Sequence, residues 1–156
     1  MSEKYFFKQE EFDELMVELK NLKGPIKSGI QKDISTARDQ GDLKENAEYH
    51  ASRERLSLLM TKIQDFENKL ANSEVYDPKD RPKGKVFVGS AIIIENLDSG
   101  VLLEGEVVSM PLFKDDVVEI STKSPVGKAI LGKSQGDKVT VKSERGTAHW
   151  LIKKVD

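Results

Sequence analysis

A short polar break, QGDLKEN at residues 40–46, divides a long stretch of helical apolar periodicity and most constrains how this chain can fold. The stretch before it, Lys8 to Gln40, and the stretch after it, Leu43 to Ser73, both predict helix. Because so few residues join them, the sequence predicts an antiparallel helical hairpin with the break at its tip. At roughly 1.5 Å of rise per residue, each arm would extend about 45–50 Å.

Apolar side chains recur at steps of three and four along both predicted arms, which is typical of a coiled-coil seam. They are Phe12, Leu15, Met16, Leu19, Leu22, Ile26, Ile30, Ile34 and Ala37 before the break, and Ala47, Ala51, Leu56, Leu59, Ile63, Phe66 and Leu70 after it. Gly24 and Pro25 interrupt the first arm. Because proline lacks a backbone donor and crowds the preceding turn, we expect a kink or local break near Lys23 that preserves the heptad phase.

Two acidic residues in the break, Asp42 and Glu45, have two compatible interpretations. Gly41 suits the left-handed position that closes a helix, and Asp42 then suits an N-cap with Glu45 three residues later. On this interpretation the acids only stabilise the start of the second helix. The same spacing also places both carboxylates on one face of that helix, where they could take part in chemistry.

The residues beside the break favour a slender tip. Small Ala47 and Ala51 on the second arm would face Ala37 on the first, so the helices could approach closely. That approach fits ordinary tight packing as well as entry into a narrow channel. Arg38 and Arg53 flank the tip, and arginines in such positions are most often solvated or paired with a neighbouring acid.

The second half of the chain has a different pattern. Residues 1–75 form the predicted hairpin, residues 76–85 predict a linker rich in proline and charge, and residues 86–156 have an apolar period of two. The strand candidates lie at 86–88, 91–94, 101–108, 117–120, 138–141 and 150–152. Ser124 as a cap, Pro125 at the first helical position and Gly132 past the end predict one short helix. The predicted fold class is therefore α+β, a coiled-coil hairpin followed by a small antiparallel-sheet domain.

Composition limits the cellular compartment and the partners that the sequence predicts. The chain of 156 residues contains no cysteine, which excludes disulfides and thiolate metal sites and fits a reducing, cytoplasmic location. The N-terminus is too polar for a signal peptide, and no apolar run approaches the ~20 residues of a membrane helix. The net charge is −2, and neither half of the chain is basic enough to predict unaided binding to nucleic acid.

The catalytic motifs of common enzyme classes are missing from the sequence. It has no glycine-rich phosphate loop, and its two histidines, His50 and His149, lie in different predicted domains. The acid pair remains, and carboxylates are ligands that Mg²⁺ accepts while it keeps several waters. A convex tip cannot enclose a substrate, so Asp42 and Glu45 would act on a metal only where another macromolecule supplies the remaining ligands.

The segment GDLKENAEYHASRE, Gly41–Glu54, resembles the signature of the bacterial Gre transcript-cleavage factors, and within them the A-type branch. The resemblance continues upstream through Ala37-Arg38. It recurs downstream in the segments at 96–98, 124–133 and 136–139, so it extends over nearly the whole chain. A dense match over fourteen residues is specific, unlike a lone pattern of spaced glycines.

The resemblance implies a mechanism. Family members insert the coiled coil into the secondary channel of RNA polymerase, where acids matching Asp42 and Glu45 help hold a catalytic Mg²⁺ and its attacking water. The polymerase then hydrolyses the extruded 3′ end of the nascent RNA in a backtracked complex. Arg38 and Arg53 match basic positions near that RNA end. The second domain, FKBP-like in the family, docks on the channel rim, and the helix starting at Ser124 and Pro125 matches the docking surface.

The resemblance also implies a monomeric accessory factor without enzymatic activity of its own, which shares its Mg²⁺ with the polymerase. Three features depart from the family pattern: Lys8 replaces a threonine cap, Gly24-Pro25 and Lys27 replace a segment that often bears arginine, and the loop 109–116 lacks the usual acidic pattern. Two other hypotheses stay open. One is a paralogue that inhibits or modulates the polymerase through the same channel, and the other is a prolyl isomerase built on the sheet domain, although its aromatic residues are scattered.

Overall fold

The computed structural model describes residues 4–156 and divides into two compact units. The first contains Gln9–Ser73 and is helical; the second contains Tyr5–Lys8 together with Glu74–Asp156 and is built on β-strands. The α+β fold class predicted from the sequence is confirmed. Within the range 1–75 predicted for the hairpin, residues 1–3 lie outside the described residues and residues 5–8 belong to the second unit.

The helical unit contains three α-helices, α1 (Gln9–Asn21), α2 (Lys27–Arg38) and α3 (Ala47–Ala71). A π-helix, Leu22–Ile26, joins α1 to α2 and contains Gly24 and Pro25. The predicted local break near Lys23 is therefore confirmed, and it takes the form of a wider turn. Proline cannot donate the regular helical hydrogen bond and its ring crowds the preceding turn, and a π-turn relieves both conflicts without ending the arm.

The arms pack through two apolar clusters. Leu22 of the π-helix and Leu19 pack with Leu59 and Ile63, while nearer the tip Ile34 and Ala37 of α2 pack with Tyr49. Residue numbers rise along one arm as they fall along the other, so the predicted antiparallel hairpin is confirmed. Cross-arm ion pairs are exposed and contribute little. The apolar seam is therefore what holds the hairpin closed.

The helix ends differ from the prediction at the tip. The first arm ends at Arg38, two residues before Gln40, and the second begins at Ala47, four residues after Leu43. The N-cap of α3 is Asn46, so the prediction that Asp42 caps this helix is wrong. Asn and Asp are comparable N-caps, and local sequence rules could not choose between two candidates four residues apart.

A small two-stranded sheet was not predicted. Its strands are β1 (Tyr5–Phe7) and β2 (Ser73–Val75), so the helical stretch predicted to reach Ser73 ends earlier, at Ala71. Phe7 is 2% exposed, and its carbonyl accepts a hydrogen bond from the Tyr76 amide at 2.9 Å. Three-residue strands are too short to give a recognisable alternation in the sequence.

The second unit contains a five-stranded sheet with the order β5-β4-β3-β7-β6. Its strands are β3 (Ala91–Asn96), β4 (Leu102–Val108), β5 (Glu119–Ser121), β6 (Lys138–Ser143) and β7 (Gly146–Val155). All neighbours are antiparallel except β4 and β5, which are parallel, so the expectation of a purely antiparallel sheet is wrong at this edge. The reason is the loop 109–118, which carries the chain back along β4 before β5 begins.

The predicted strand at 86–88 is also wrong. Lys85 forms one isolated bridge with Ser134, and Val86 is fully buried with its amide bonded to the Lys133 carbonyl at 2.8 Å. This short apolar run therefore contributes to the core as an irregular segment. Periodicity alone does not separate such a segment from a buried strand.

The core of the sheet unit lies between the sheet and one short helix, α4 (Pro125–Ile130). Ile92, Ile94 and Ile152 from the central strands are buried with Ile130 of the helix. The helix predicted from its cap residues is confirmed. It packs closely because Gly127 has no side chain: a Cβ there would overlap the Ser121 carbonyl.

The Asn96–Gly100 turn, which joins β3 to β4, is tied to β7 through Asp98. The Asp98 carboxylate accepts a hydrogen bond from the His149 amide at 2.9 Å and lies 3.3 Å from the His149 ring Nδ1. The backbone hydrogen bond first, and the His149 side chain second, hold the pKa of the exposed Asp98 carboxyl below its usual value of 3.8.

We predict that Asp98 makes stability pH-dependent. Because its pKa is lower in the folded chain, its stabilising contribution is present above pH 3.8 and is lost as the pH falls through the folded value. Asp98→Asn keeps an oxygen acceptor but no charge, so it should be less stable than the parent near neutral pH and approach it in acid. Urea midpoints measured from pH 3 to pH 7 on both proteins test this. A gap that stays constant across that range contradicts the prediction.

Candidate functional site at the hairpin tip

A loop of residues 39–46, here called the tip loop, joins the two arms. It turns at Gly41, whose φ of 141° is poorly tolerated by other residues. One side-chain oxygen of Asp42, Oδ1, then accepts a hydrogen bond from the Lys44 amide at 2.9 Å. This is a local turn of the kind that aspartate favours, and it orders the loop around the acidic side chain.

Asn46 joins the ends of both arms. Its Nδ2 donates to the Ala37 carbonyl in the last turn of α2 at 2.6 Å, and its Oδ1 accepts from the Tyr49 amide in the first turn of α3 at 3.0 Å. One side chain thus satisfies a donor at the start of α3 that would otherwise lack a helical partner, and adds a second hydrogen bond to the Ala37 carbonyl, which also accepts from the Gln40 amide at 3.1 Å. Asn46 therefore sets the separation of the arms where the tip loop begins and ends.

Asp42 and Glu45 are both exposed in the tip loop. The expectation that they share a face of the second helix is wrong, because both precede Ala47, where that helix begins. Among the described residues 4–156, no group of three or more acidic, histidine or cysteine side chains is placed to hold a metal. Carboxylate oxygens suit Mg²⁺, but this pair offers fewer ligands than its six-coordinate shell requires.

Tyr49 organises the two arginines that flank the tip. Its ring is buried against Ile34 and Ala37. The guanidinium carbons of Arg38 and Arg53 lie 6.0 and 5.7 Å from the ring centroid. Both distances allow a cation–π attraction. The structure thus brings together two arginines from different arms, which the sequence placed only near the tip.

Beside this ring, an open groove of about 770 Å³ lies between the two arms. Arg38, Arg53 and Tyr49 line it, together with polar side chains and with apolar Leu56 and Met60. Guanidinium groups bind phosphate oxygens through paired hydrogen bonds. The groove therefore presents two cationic groups that could bind phosphate, while the buried Tyr49 ring positions them.

Ser124 and Pro125 lie at the start of α4 in the sheet unit. The Ser124 hydroxyl donates to the Ser121 carbonyl at 2.6 Å and accepts from the Gly127 amide at 3.0 Å. The polar capacity of Ser124 is thus used inside the fold, as an N-cap. Pro125 is exposed and is the part of this pair that is available to a partner.

Sequence reasoning missed Asn46 and Tyr49 as site residues. A signal for Asn46 was present, because an asparagine directly before Ala47-Glu48 is a good N-cap followed by an acid in the first turn. No such signal existed for Tyr49. Its position over both arginines depends on how the two arms pack.

The structure thus combines a helical hairpin that carries exposed acids at its tip with a sheet domain that follows it in the chain. Residues 6–75 match the family described as "Transcription elongation factor, N-terminal", and residues 81–156 match "Transcription elongation factor, GreA/GreB, C-term". The chain belongs to the GreA/GreB family of transcription elongation factors. This confirms the resemblance read from Gly41–Glu54.

Curated relatives with the same family name are similar in sequence over most of this chain. The chain is 39% identical over 153 residues to transcription elongation factor GreA of Chlorobaculum parvum, covering 97% of this chain and 96% of that protein. It is 38% identical to GreA of Psychrobacter cryohalolentis, covering 90% of each. Among solved structures, GreA factor homolog 1 of Thermus thermophilus matches with 20% identity and a TM-score of 0.47 over 99% of both chains.

Within residues 4–156, no helix is both long and apolar enough to cross a membrane.

We predict that Asn46, not Asp42, stabilises the start of α3. Asn46→Ala removes the cap acceptor and the donor to Ala37 together, and should lower the free energy of unfolding by about 1–2 kcal/mol. Asn46→Ser keeps only the acceptor and should lose less. The helical far-UV circular dichroism signal during urea unfolding reports the change. Asp42→Ala serves as the control, with an expected loss below about 0.5 kcal/mol; equal losses for Asp42→Ala and Asn46→Ala would contradict this assignment.

We also predict that Tyr49 is energetically coupled to Arg53. In a double-mutant cycle of Tyr49→Leu and Arg53→Gln, the coupling free energy should be about 0.5–1 kcal/mol. Tyr49→Phe should retain it, because the ring is kept. Arg55 pairs with Asp33 instead, so a matched cycle with Arg55→Gln should give a value near zero. Equal coupling in the two cycles would mean that the ring does not hold the arginine.

Proposed function

We propose that this transcription elongation factor inserts its helical hairpin into the secondary channel of RNA polymerase and stimulates cleavage of nascent RNA in backtracked complexes. The observation that carries this proposal is the pair of exposed carboxylates, Asp42 and Glu45, on an ordered loop at the end of the hairpin. An acid pair in that position can reach into a reaction centre that another macromolecule encloses.

The carboxylate oxygens at the tip are suitable ligands for a Mg²⁺ ion that this chain would share with the polymerase. Asp42 uses one oxygen in the turn with Lys44, and a carboxylate has a second oxygen for a metal. Because two carboxylates cannot complete the shell of Mg²⁺, the remaining ligands would come from the polymerase and from water. The ion would supply the charge stabilisation and the activated water that phosphodiester hydrolysis needs. The work of this chain is to deliver and orient the two acids.

Arg38 and Arg53 are the proposed contacts to the 3′ end of the RNA. Tyr49 holds both guanidinium groups on one side of the hairpin, beside the groove. Guanidinium groups bind phosphate oxygens through paired hydrogen bonds, so they would hold the extruded RNA close to the acids. A positioned RNA strand and positioned acids both lower the entropic part of the barrier to cleavage.

The sheet unit is proposed to bind the rim of the channel through the surface that contains Ser124 and Pro125. In this arrangement the chain is an accessory factor, because the polymerase supplies the enclosed site and the chemistry. The hairpin would act selectively on backtracked complexes, because only in those complexes does the RNA 3′ end enter the secondary channel.

Neutral isosteres of the tip acids test the proposal. Asp42→Asn and Glu45→Gln should each reduce RNA cleavage in a stalled, backtracked complex by about 10–100-fold, the loss typical when a metal site loses a supporting partner. Raising the Mg²⁺ concentration should recover part of the rate. Asp39→Asn, at an exposed acid at the start of the same loop, is the matched control and should retain parental cleavage.

Two results would contradict the proposal. Parental cleavage by the Asp42→Asn, Glu45→Gln double variant would show that the acids are not used. Slower nucleotide incorporation by the polymerase with no cleavage gained would favour the alternative, a family paralogue that inhibits polymerase through the same channel.

A further inference from the structure

The loop of residues 109–116 displays one aromatic side chain to solvent. Phe113 is 85% exposed, the highest value among the large apolar side chains that stand out on the surface of the described chain. Single exposed apolar residues are ordinary on protein surfaces and alone indicate nothing. Phe113 differs from them because its backbone conformation is also unusual.

Phe113 has a φ of 57°, and it is the one residue other than glycine in the described range 4–156 with a positive value. A bulky side chain in this left-handed region is a strained arrangement, and asparagine or glycine would fit it better. A solvated phenyl ring gains no burial on folding. The fold of the free chain therefore gives no reason for phenylalanine at this position.

The loop is nevertheless well anchored. The Glu119 carboxylate accepts hydrogen bonds from the amides on both sides of Phe113, from Leu112 at 2.8 Å and from Lys114 at 3.3 Å. Leu112, Lys114 and Glu119 are half-buried while Phe113 projects outward. At the start of the loop, Ser109 is 2% exposed and its Oγ accepts a hydrogen bond from the Phe6 amide at 2.7 Å. The backbone that carries the ring outward is therefore held by defined contacts.

Phe113 and the start of α4 are attached to the same short edge strand. Glu119, which holds the loop, is the first residue of β5, and Ser121, which accepts the Ser124 hydroxyl, is the last. Pro125 is exposed there. One three-residue strand thus positions two exposed groups, a phenyl ring and a proline, on the same edge of the sheet unit.

We propose that Phe113 is an anchor residue for RNA polymerase and extends the docking surface at Ser124 and Pro125 along this edge. The inference rests on the function proposed above and adds a residue to its docking surface. Aromatic side chains are common anchors in interfaces, and a loop backbone that is already ordered loses little freedom on binding. Asp115 and Asp116 follow the ring and are exposed, so the receiving surface is an apolar pocket bordered by lysine or arginine.

The test separates folding from binding through one substitution. Phe113→Asn removes the ring and suits the left-handed backbone, so it should melt at the parental temperature or above it. Its Kd for RNA polymerase should rise at least tenfold, while cleavage at saturating concentration stays parental. Val101→Asn, at another exposed apolar position, is the matched control and should bind like the parent.

Each further outcome has one meaning. Binding by Phe113→Asn within twofold of the parent overturns the inference, as does a fall in melting temperature that accompanies the loss of affinity. If the parent binds in a Phe113-dependent manner without stimulating cleavage, the anchor stands and the proposed cleavage function fails. If the parent does not bind polymerase, both fail.

Discussion

The tip of the hairpin depends on one side chain, Asn46, which bonds to the end of one helix and the start of the other. A chain reversal between two long helices leaves unpaired carbonyls on one side and unpaired amides on the other. Asparagine is suited to this place because its amide group offers a donor and an acceptor at once. With the two helix ends tied together, the intervening loop can carry acids that stay in solvent, of which Asp42 contributes only a local turn through the Lys44 amide.

The apolar seam gives the tip a stem of defined direction. The clusters around Ile63 and around Tyr49 lie at different heights along the arms, so the hairpin is closed over much of its length. The π-helix at Leu22–Ile26 keeps the first arm continuous through Pro25, which in a regular helix would end or bend it. Continuity matters because any function at the tip depends on a stem that fixes where the tip loop lies relative to the base of the hairpin.

The features that the sequence predicted well are those encoded by neighbours along the chain. The apolar period gave both arms, the cap residues gave α4, and the alternation gave most of the large sheet. The misses have non-local causes. β5 lies parallel to β4 because of where a ten-residue loop returns, and Tyr49 meets Arg38 only once the arms have packed. Asp42 and Asn46 were both competent caps, and the contact with Ala37 across the loop favours Asn46.

The two surfaces assigned to partners share a physical arrangement. At the tip, Asn46 and the turn at Asp42 order a loop whose acids stay in solvent; at the sheet edge, Glu119 orders a loop whose phenyl ring stays in solvent. In both places a half-buried polar side chain, Asn46 or Glu119, helps to hold the loop backbone that carries the exposed groups. Ordering a loop costs conformational entropy, and a charge or an apolar ring that stays in solvent adds no free energy of folding to offset that cost. Neither arrangement is therefore explained by folding alone. The cost is offset when a partner binds a group that is already positioned.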